Sequence, residues 1–183
     1  MEPIDMCRKG IITMILVVLF TGLYAQETTN EKAQSLKIVE TPDSFAELLK
    51  SFKGKVLYID IMASFCKPCI SELKTSEEMD KFFEEKDIQR LFISLDNPKD
   101  ITKCKKILED NNVKGYFVSM HSENKKSEFG GDILKLFFTD KDGKIGLSIP
   151  RYAIVDKTGK LAVSKAARPS NMEGLKKQLN QYK

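Results

Sequence analysis

Residues 56–73 read VLYIDIMASFCKPCISEL. From Val56 to Met62 the run is almost unbroken in apolar and β-branched character, the pattern of a strand covered on both faces. Cys66, Lys67, Pro68 and Cys69 follow after three residues, and the stretch CKPCISELKTSEEMDKFFEE, 66–85, reads as one long helix. Pro68 suits a helix start, because its missing amide would be unpaired there in any case. The segment therefore predicts a central strand that hands a C-x-x-C to the first turn of a helix. A thiolate gains there from backbone amides that have no carbonyl partner. Cys66 occupies that position and is expected to attack. Cys69, one turn further in and more buried, is expected to resolve, and Lys67 adds a positive charge that favours the Cys66 thiolate.

A C-x-x-C is also half of a zinc site, and zinc would need two more ligands. Beyond the first 25 residues only Cys104 and His121 remain as soft candidates, and neither belongs to a second paired motif. Cys104 falls on the apolar face of its predicted helix with Ile101, Ile107 and Leu108, where a buried free thiol is the expectation. His121 is expected at the surface near a loop. A calcium reading of DKDG, 140–143, fails, because aligning Gly143 to the loop glycine puts Phe138 and Ile149 at the first and last ligand positions.

Working outward, LKIVE (36–40) is a short strand, and Ser44 with Glu47 makes a capping box for a helix from Ser44 to Phe52 that Gly54 can stop. QRLFISLDN (89–97) is a second buried strand, so strand, helix and strand imply a right-handed parallel crossover. Asp100 is placed to cap a helix over ITKCKKILEDNN, 101–112. A strand from Tyr116 to Met120 and a helical piece from Ile133 to Phe138 come next. RYAIV and KLAVS, joined by DKTG, form a hairpin. A last helix opens on a second capping box, Ser170 and Glu173, and sets Leu175 and Leu179 on one face. Neither an internal repeat nor a second domain is visible, and the expectation is a single α/β domain with a mixed central sheet flanked by helices.

Length and composition agree, since 183 residues, 42% hydrophobic and 31% charged, suffice for one domain with a real core. Arg8 and Lys9 precede the apolar run IITMILVVLF and then TGLYAQ, which reads as a signal peptide over 1–25 cut after Ala25. A retained membrane anchor is the alternative, because Leu23 is bulky for a small-residue cleavage site. Both place the domain outside the cytoplasm. A lipid anchor is not expected, as Cys7 lies before the apolar run and Gln26 follows Ala25. Residues 26–34 form a polar leader, and the domain spans 35–183. The net charge of +4 is mild. Lysines are interspersed with acids and form no basic stripe with aromatics, so no nucleic-acid partner is expected.

The run VLYIDIMASFCKPCISEL resembles the active-site segment of the thioredoxin superfamily, specifically its extracytoplasmic TlpA/ResA-like thiol-disulfide oxidoreductases, over roughly 36–181. SIPRYAIVDKTGKLAV, 148–163, resembles the strand pair that this family enters through a cis-proline. That resemblance makes Pro150 the cis-proline packed against the redox cysteines, with Ile149 presenting its backbone to a substrate. It makes Asp60 the buried acid that relays the proton of the inner cysteine, and burial in a covered strand should raise its pKa, with an idle acid at a polar rim as the alternative. It also matches Glu72 to an acidic position near the active site, with a solvated surface role as the alternative. Two features depart from the family: Phe65 stands where a tryptophan usually precedes the first cysteine, and TDKDGKIGLS, 139–148, is a longer link into the proline. A peroxidase of related fold would carry a proline and a Thr or Ser where Ile59 and Ala63 stand.

The resemblance implies dithiol-disulfide exchange with protein disulfide substrates through a mixed disulfide at Cys66, with no metal, flavin or nucleotide cofactor. It implies reduction, in cytochrome c maturation or disulfide repair in a bacterial periplasm, and a reductant there needs a membrane partner that brings electrons across. The opposing expectations are an oxidant that installs disulfides and a binding module that keeps the cysteines only as structure.

Overall fold

A computed structural model describes residues 36–121 and 128–182; the expected signal peptide or anchor (1–25) and leader (26–34) lie outside them. Val56–Met62 forms β2, buried along its whole length. It pairs in parallel with β3 (Ile88–Ser94) and antiparallel with β5 (Arg151–Val155). β4 (Gly115–Ser119) continues the parallel side and β1 (Leu36–Ile38) closes it, while β6 (Leu161–Val163) completes the antiparallel hairpin. The sheet order is β1-β4-β3-β2-β5-β6, a mixed sheet with the expected crossover between β2 and β3.

Alternation along the central strands sorts their side chains into two layers. Leu57, Ile59 and Ile61 of β2 pack with Leu91, Ile93, Ala153 and Val155 against α1 (Phe45–Lys50) and α5 (Phe129–Ile133). On the other face, Tyr58 and Met62 meet the helices α2 (Lys67–Glu72), α3 (Ser76–Lys86), α4 (Ile101–Asp110) and α6 (Met172–Leu179). The result is one α/β domain of thioredoxin topology, and both cysteines of the motif lie on the second face.

The long helix expected over 66–85 is broken. α2 ends at Glu72, a 3₁₀ turn runs from Leu73 to Thr75, and α3 starts at Ser76. The Thr75 hydroxyl donates to the Glu72 carbonyl at 2.9 Å, and buried Ser76 accepts from an Arg90 guanidinium nitrogen at 3.2 Å. Hydroxyl groups that bond back onto the preceding turn, or out to a neighbouring strand, favour such a break. The cap at Asp100 also differs: a 3₁₀ turn, Pro98–Asp100, leads into α4 and the Asp100 side chain makes no capping bond. At α1 Ser44 does accept from the Glu47 amide, but Glu47 reaches back to Asp43 rather than to Ser44. The helical piece expected at 133–138 begins earlier, at Phe129, and continues as a π turn over Leu134–Phe138. At the last helix Asn171, not Ser170, caps, accepting from the Gly174 amide at 3.1 Å. Ser170 is engaged by Glu72 instead.

Candidate active site

Cys66 is the N-cap of α2 and Cys69 sits within its first turn, so the chain brings the two sulfurs together as a disulfide. The Cys66 sulfur accepts from the Cys69 amide at 3.2 Å, the interaction that would hold a thiolate at this helix start. Both cysteines are buried, Cys66 6% exposed and Cys69 2%. Lys67, Pro68 and Phe65 surround the pair on the open side, with Phe65 70% exposed. The Ile149–Pro150 peptide is cis, and Ile149 packs against the cluster that contains both cysteines. The 139–148 link folds into a small projecting hairpin, bridged at Thr139 and Ile145. Asp140 accepts there from the amides of Asp142 and Lys144.

Asp60 faces the same side as the cysteines and is buried, so it does not lie on a polar rim. Its Oδ2 accepts from Arg90 Nη2 at 2.8 Å, both side chains being almost fully enclosed. Burial pushes the Asp60 carboxyl above its ordinary range, and the guanidinium pulls partly the other way. Arg90 was not expected in any role, although a lone charge inside the apolar run of β3 is a signal for a buried partner. In register Arg90 stands beside Tyr58, and its guanidinium also lies 4.3 Å from the Phe92 ring centroid.

Glu72 is buried too, not solvated. Its two oxygens accept from the Ser170 amide at 2.7 Å and the Ser170 hydroxyl at 3.0 Å, with Arg168 at 3.6 Å. This clamp ties the end of the redox helix to the chain that enters α6.

The site has a third acid that the sequence did not signal. Asp96, just beyond β3, accepts from the Ser64 amide at 3.0 and 2.9 Å, the Ser64 hydroxyl at 2.6 Å and the Ser94 hydroxyl at 2.8 Å. Cys104 is a buried free thiol that faces Ser94 and Asp96; burial first, and the Asp96 charge next, push it up to about 12. Among the described residues no group of three or more His, Cys, Asp or Glu side chains could hold a metal ion. The backbone of His121 donates to the Ser119 hydroxyl, well away from the disulfide in the chain.

The family model for Redoxin matches residues 28–179. The chain belongs to the Redoxin family. It is 27% identical over 139 residues to the thiol-disulfide oxidoreductase ResA of Bacillus cereus, covering 69% of this chain and 74% of that one. A ResA from Bacillus thuringiensis matches to the same extent. Among solved structures, a candidate thiol-disulfide oxidoreductase from Bacteroides vulgatus is 26% identical with a TM-score of 0.51, over 73% of this chain and 75% of that one. A second structure from the same organism, 24% identical, gives a TM-score of 0.54 over 74% and 83% of the two chains and speaks for the fold alone. The Redoxin fold and the Cys66–Cys69 pair make this chain a thiol-disulfide oxidoreductase, and the pair itself is its redox-active centre.

Proposed function

We propose that this chain is an exported, TlpA/ResA-like reductant of protein disulfides, working in cytochrome c maturation or disulfide repair and recharged by a membrane electron donor. The observation that carries the exchange chemistry is the disulfide at the start of α2, with Ile149 of the cis-proline loop packed against the cluster that holds it. Export rests on the basic and apolar start of the sequence, with residues 1–25 as a signal peptide or anchor ahead of a leader and the 35–183 domain. Among the described residues no helix is long and apolar enough to cross a membrane.

The reduced protein begins the cycle. The Cys66 thiolate attacks one sulfur of a substrate disulfide, forming a mixed disulfide and expelling the other substrate sulfur as a thiolate. Ile149, preceding cis-Pro150, offers backbone for an extended substrate segment, and Lys67 adds positive charge near the reacting sulfur. Asp60 takes the proton of Cys69, whose sulfur then attacks Cys66 and releases the second substrate thiolate. Two electrons pass to the substrate, whose two thiolates take up the proton held by Asp60 and one from solvent, and the Cys66–Cys69 disulfide forms. Glu72 holds the end of the redox helix through Ser170.

The reduction potential of the pair tests the direction. A value near the roughly −270 mV of thioredoxin supports a reductant, and one near the roughly −120 mV of a strong oxidant reverses the proposal. A pair that does not cycle, with Cys66→Ala as control, overturns exchange altogether.

A further inference from the structure

The two acids beneath the redox pair differ in how their charge is balanced. Asp60 is matched by Arg90 at 2.8 Å. Asp96 is 1% exposed, and among the described residues no salt bridge reaches it. Its bonds come from neutral donors: the amide and hydroxyl of Ser64, the hydroxyl of Ser94 and the thiol of Cys104. Both oxygens of the Asp96 carboxylate are thus held by dipoles alone. Its charge is therefore delocalised over dipoles and not cancelled.

The placement of that charge ties it to the chemistry. Ser64, gripped by both Asp96 oxygens, is two residues before Cys66, so their Cα atoms are no more than about 7.6 Å apart along the chain. The Cys66 amide donates back to the Ala63 carbonyl at 3.0 Å, making residues 63–66 a single tight turn. On the far side, the thiol of Cys104 is packed in the same apolar cluster as Cys66 and Cys69 and faces Asp96. Water does not screen the space between Asp96 and the redox pair, because Ala63, Ser64, Cys69 and Cys104 are all buried.

We propose that Asp96 is a positioning residue of the redox centre, which fixes the 63–66 turn and biases the Cys66–Cys69 pair toward the disulfide by opposing the Cys66 thiolate. The sign follows from the two states. The oxidised pair is neutral and is indifferent to a nearby anion, whereas the reduced pair carries a thiolate that a fixed negative charge disfavours. The helix start pulls the other way, so Asp96 offsets part of its stabilisation of the thiolate. The protein is made a stronger reductant by that offset. The inference concerns the shift that Asp96 produces and does not rest on the direction proposed above.

The test equilibrates the full-length protein and its Asp96→Asn variant with graded dithiothreitol and traps the thiols. Dithiothreitol supplies two electrons and two protons, becoming its cyclic disulfide as the Cys66–Cys69 disulfide becomes two thiols. Asp96→Asn should favour the reduced pair about tenfold, a rise of about 30 mV in potential, and should speed alkylation of Cys66 at pH 6. Asp96→Glu, which keeps the charge, should stay within about threefold of the parent. An unmoved equilibrium in a folded Asn variant overturns the proposal, as does an equal shift in the Glu variant. Asp96→Ser is the neutral substitute where Asn does not fold, and failure of both neutral variants to fold leaves Asp96 a purely structural residue and also overturns it. The parent's absolute potential reads the direction of exchange, and the difference between parent and variant reads Asp96, so the two can fail separately.

Discussion

Arg90 and Asp60 reach each other across adjacent parallel strands, Nη2 to Oδ2 at 2.8 Å, with scarcely any solvent on either. The pair lies on the sheet face that carries the redox helix, between the cluster of Cys66 and Cys69 and the cluster of Tyr58 and Tyr152. A buried acid that is to accept a proton and hand it on must not be held permanently ionised. Burial raises the Asp60 pKa while Arg90 limits the rise, the balance that the proposed relay needs.

Arg90→Leu should expose that balance as a pH dependence of stability. Without the guanidinium, Asp60 is an uncompensated buried carboxyl, and its folded pKa rises further above the unfolded value. The stability linked to a raised carboxyl is fully present below the unfolded pKa, near 4, and is lost as pH climbs through the folded pKa. The variant should therefore be close to the parent at pH 4 and weaker by about 3–5 kcal/mol at pH 8. Urea unfolding at the two pH values measures this, and an equal loss at both would mean that packing, not charge, is what Arg90 supplies.

The order of attack predicts which variant stalls. Cys69→Ser keeps the outer thiolate and removes the resolving sulfur, so a mixed disulfide with a protein substrate should accumulate and be visible by mass spectrometry under non-reducing conditions. Cys66→Ala should form none and lose turnover entirely. Accumulation in Cys66→Ala instead would exchange the roles, against the placement of Cys66 at the N-cap of α2.

Cys104 should be silent in the folded protein. With its thiol pushed up to about 12, only about one molecule in ten thousand carries the thiolate at pH 8, and the sulfur is buried as well. Alkylation should label it only after denaturation. The folded thiol must stay protonated while the unfolded chain ionises near 9, so stability should also fall as pH rises from about 9 toward 12. Rapid labelling at pH 8 would show that the α4 face opens.

The strand at 56–62, its alternation, the redox motif and the closing hairpin were legible because local pattern and tertiary environment ask for the same residues there. The breaks were not. Ser170 has the spacing of a capping residue, and only the buried Glu72 carboxylate, 98 residues away, diverts it and leaves the cap to Asn171. The helix expected over 66–85 divides at Thr75 because a hydroxyl bonds back to Glu72 and Ser76 turns to Arg90, the second a consequence of packing on β3. Asp60 carried a signal through its place in an apolar strand, but its partner needed the β2–β3 register. Asp96 stands in an ordinary turn sequence, LDNPKD, and becomes a buried acid only because the 63–66 turn folds over it.

The Glu72 clamp makes the last prediction. Its carboxylate satisfies two donors of Ser170, and among the described residues Arg168 alone forms a salt bridge with it, at 3.6 Å, so the clamp works through hydrogen bonds more than through charge. Glu72→Ala should remove both hydrogen bonds to the exposed Ser170, whose amide and hydroxyl then turn to water, at about 0.5–1.5 kcal/mol, and free the start of α6 from the redox helix. Glu72→Gln keeps one carbonyl acceptor and should lose about half as much. Hydrogen exchange at Ser170 and along Met172–Leu179 separates a local from a global effect: faster exchange confined to these amides in the Ala variant is the expected result. If exchange rises equally in β2, Glu72 supports the whole domain, and its link to the redox helix has no special standing.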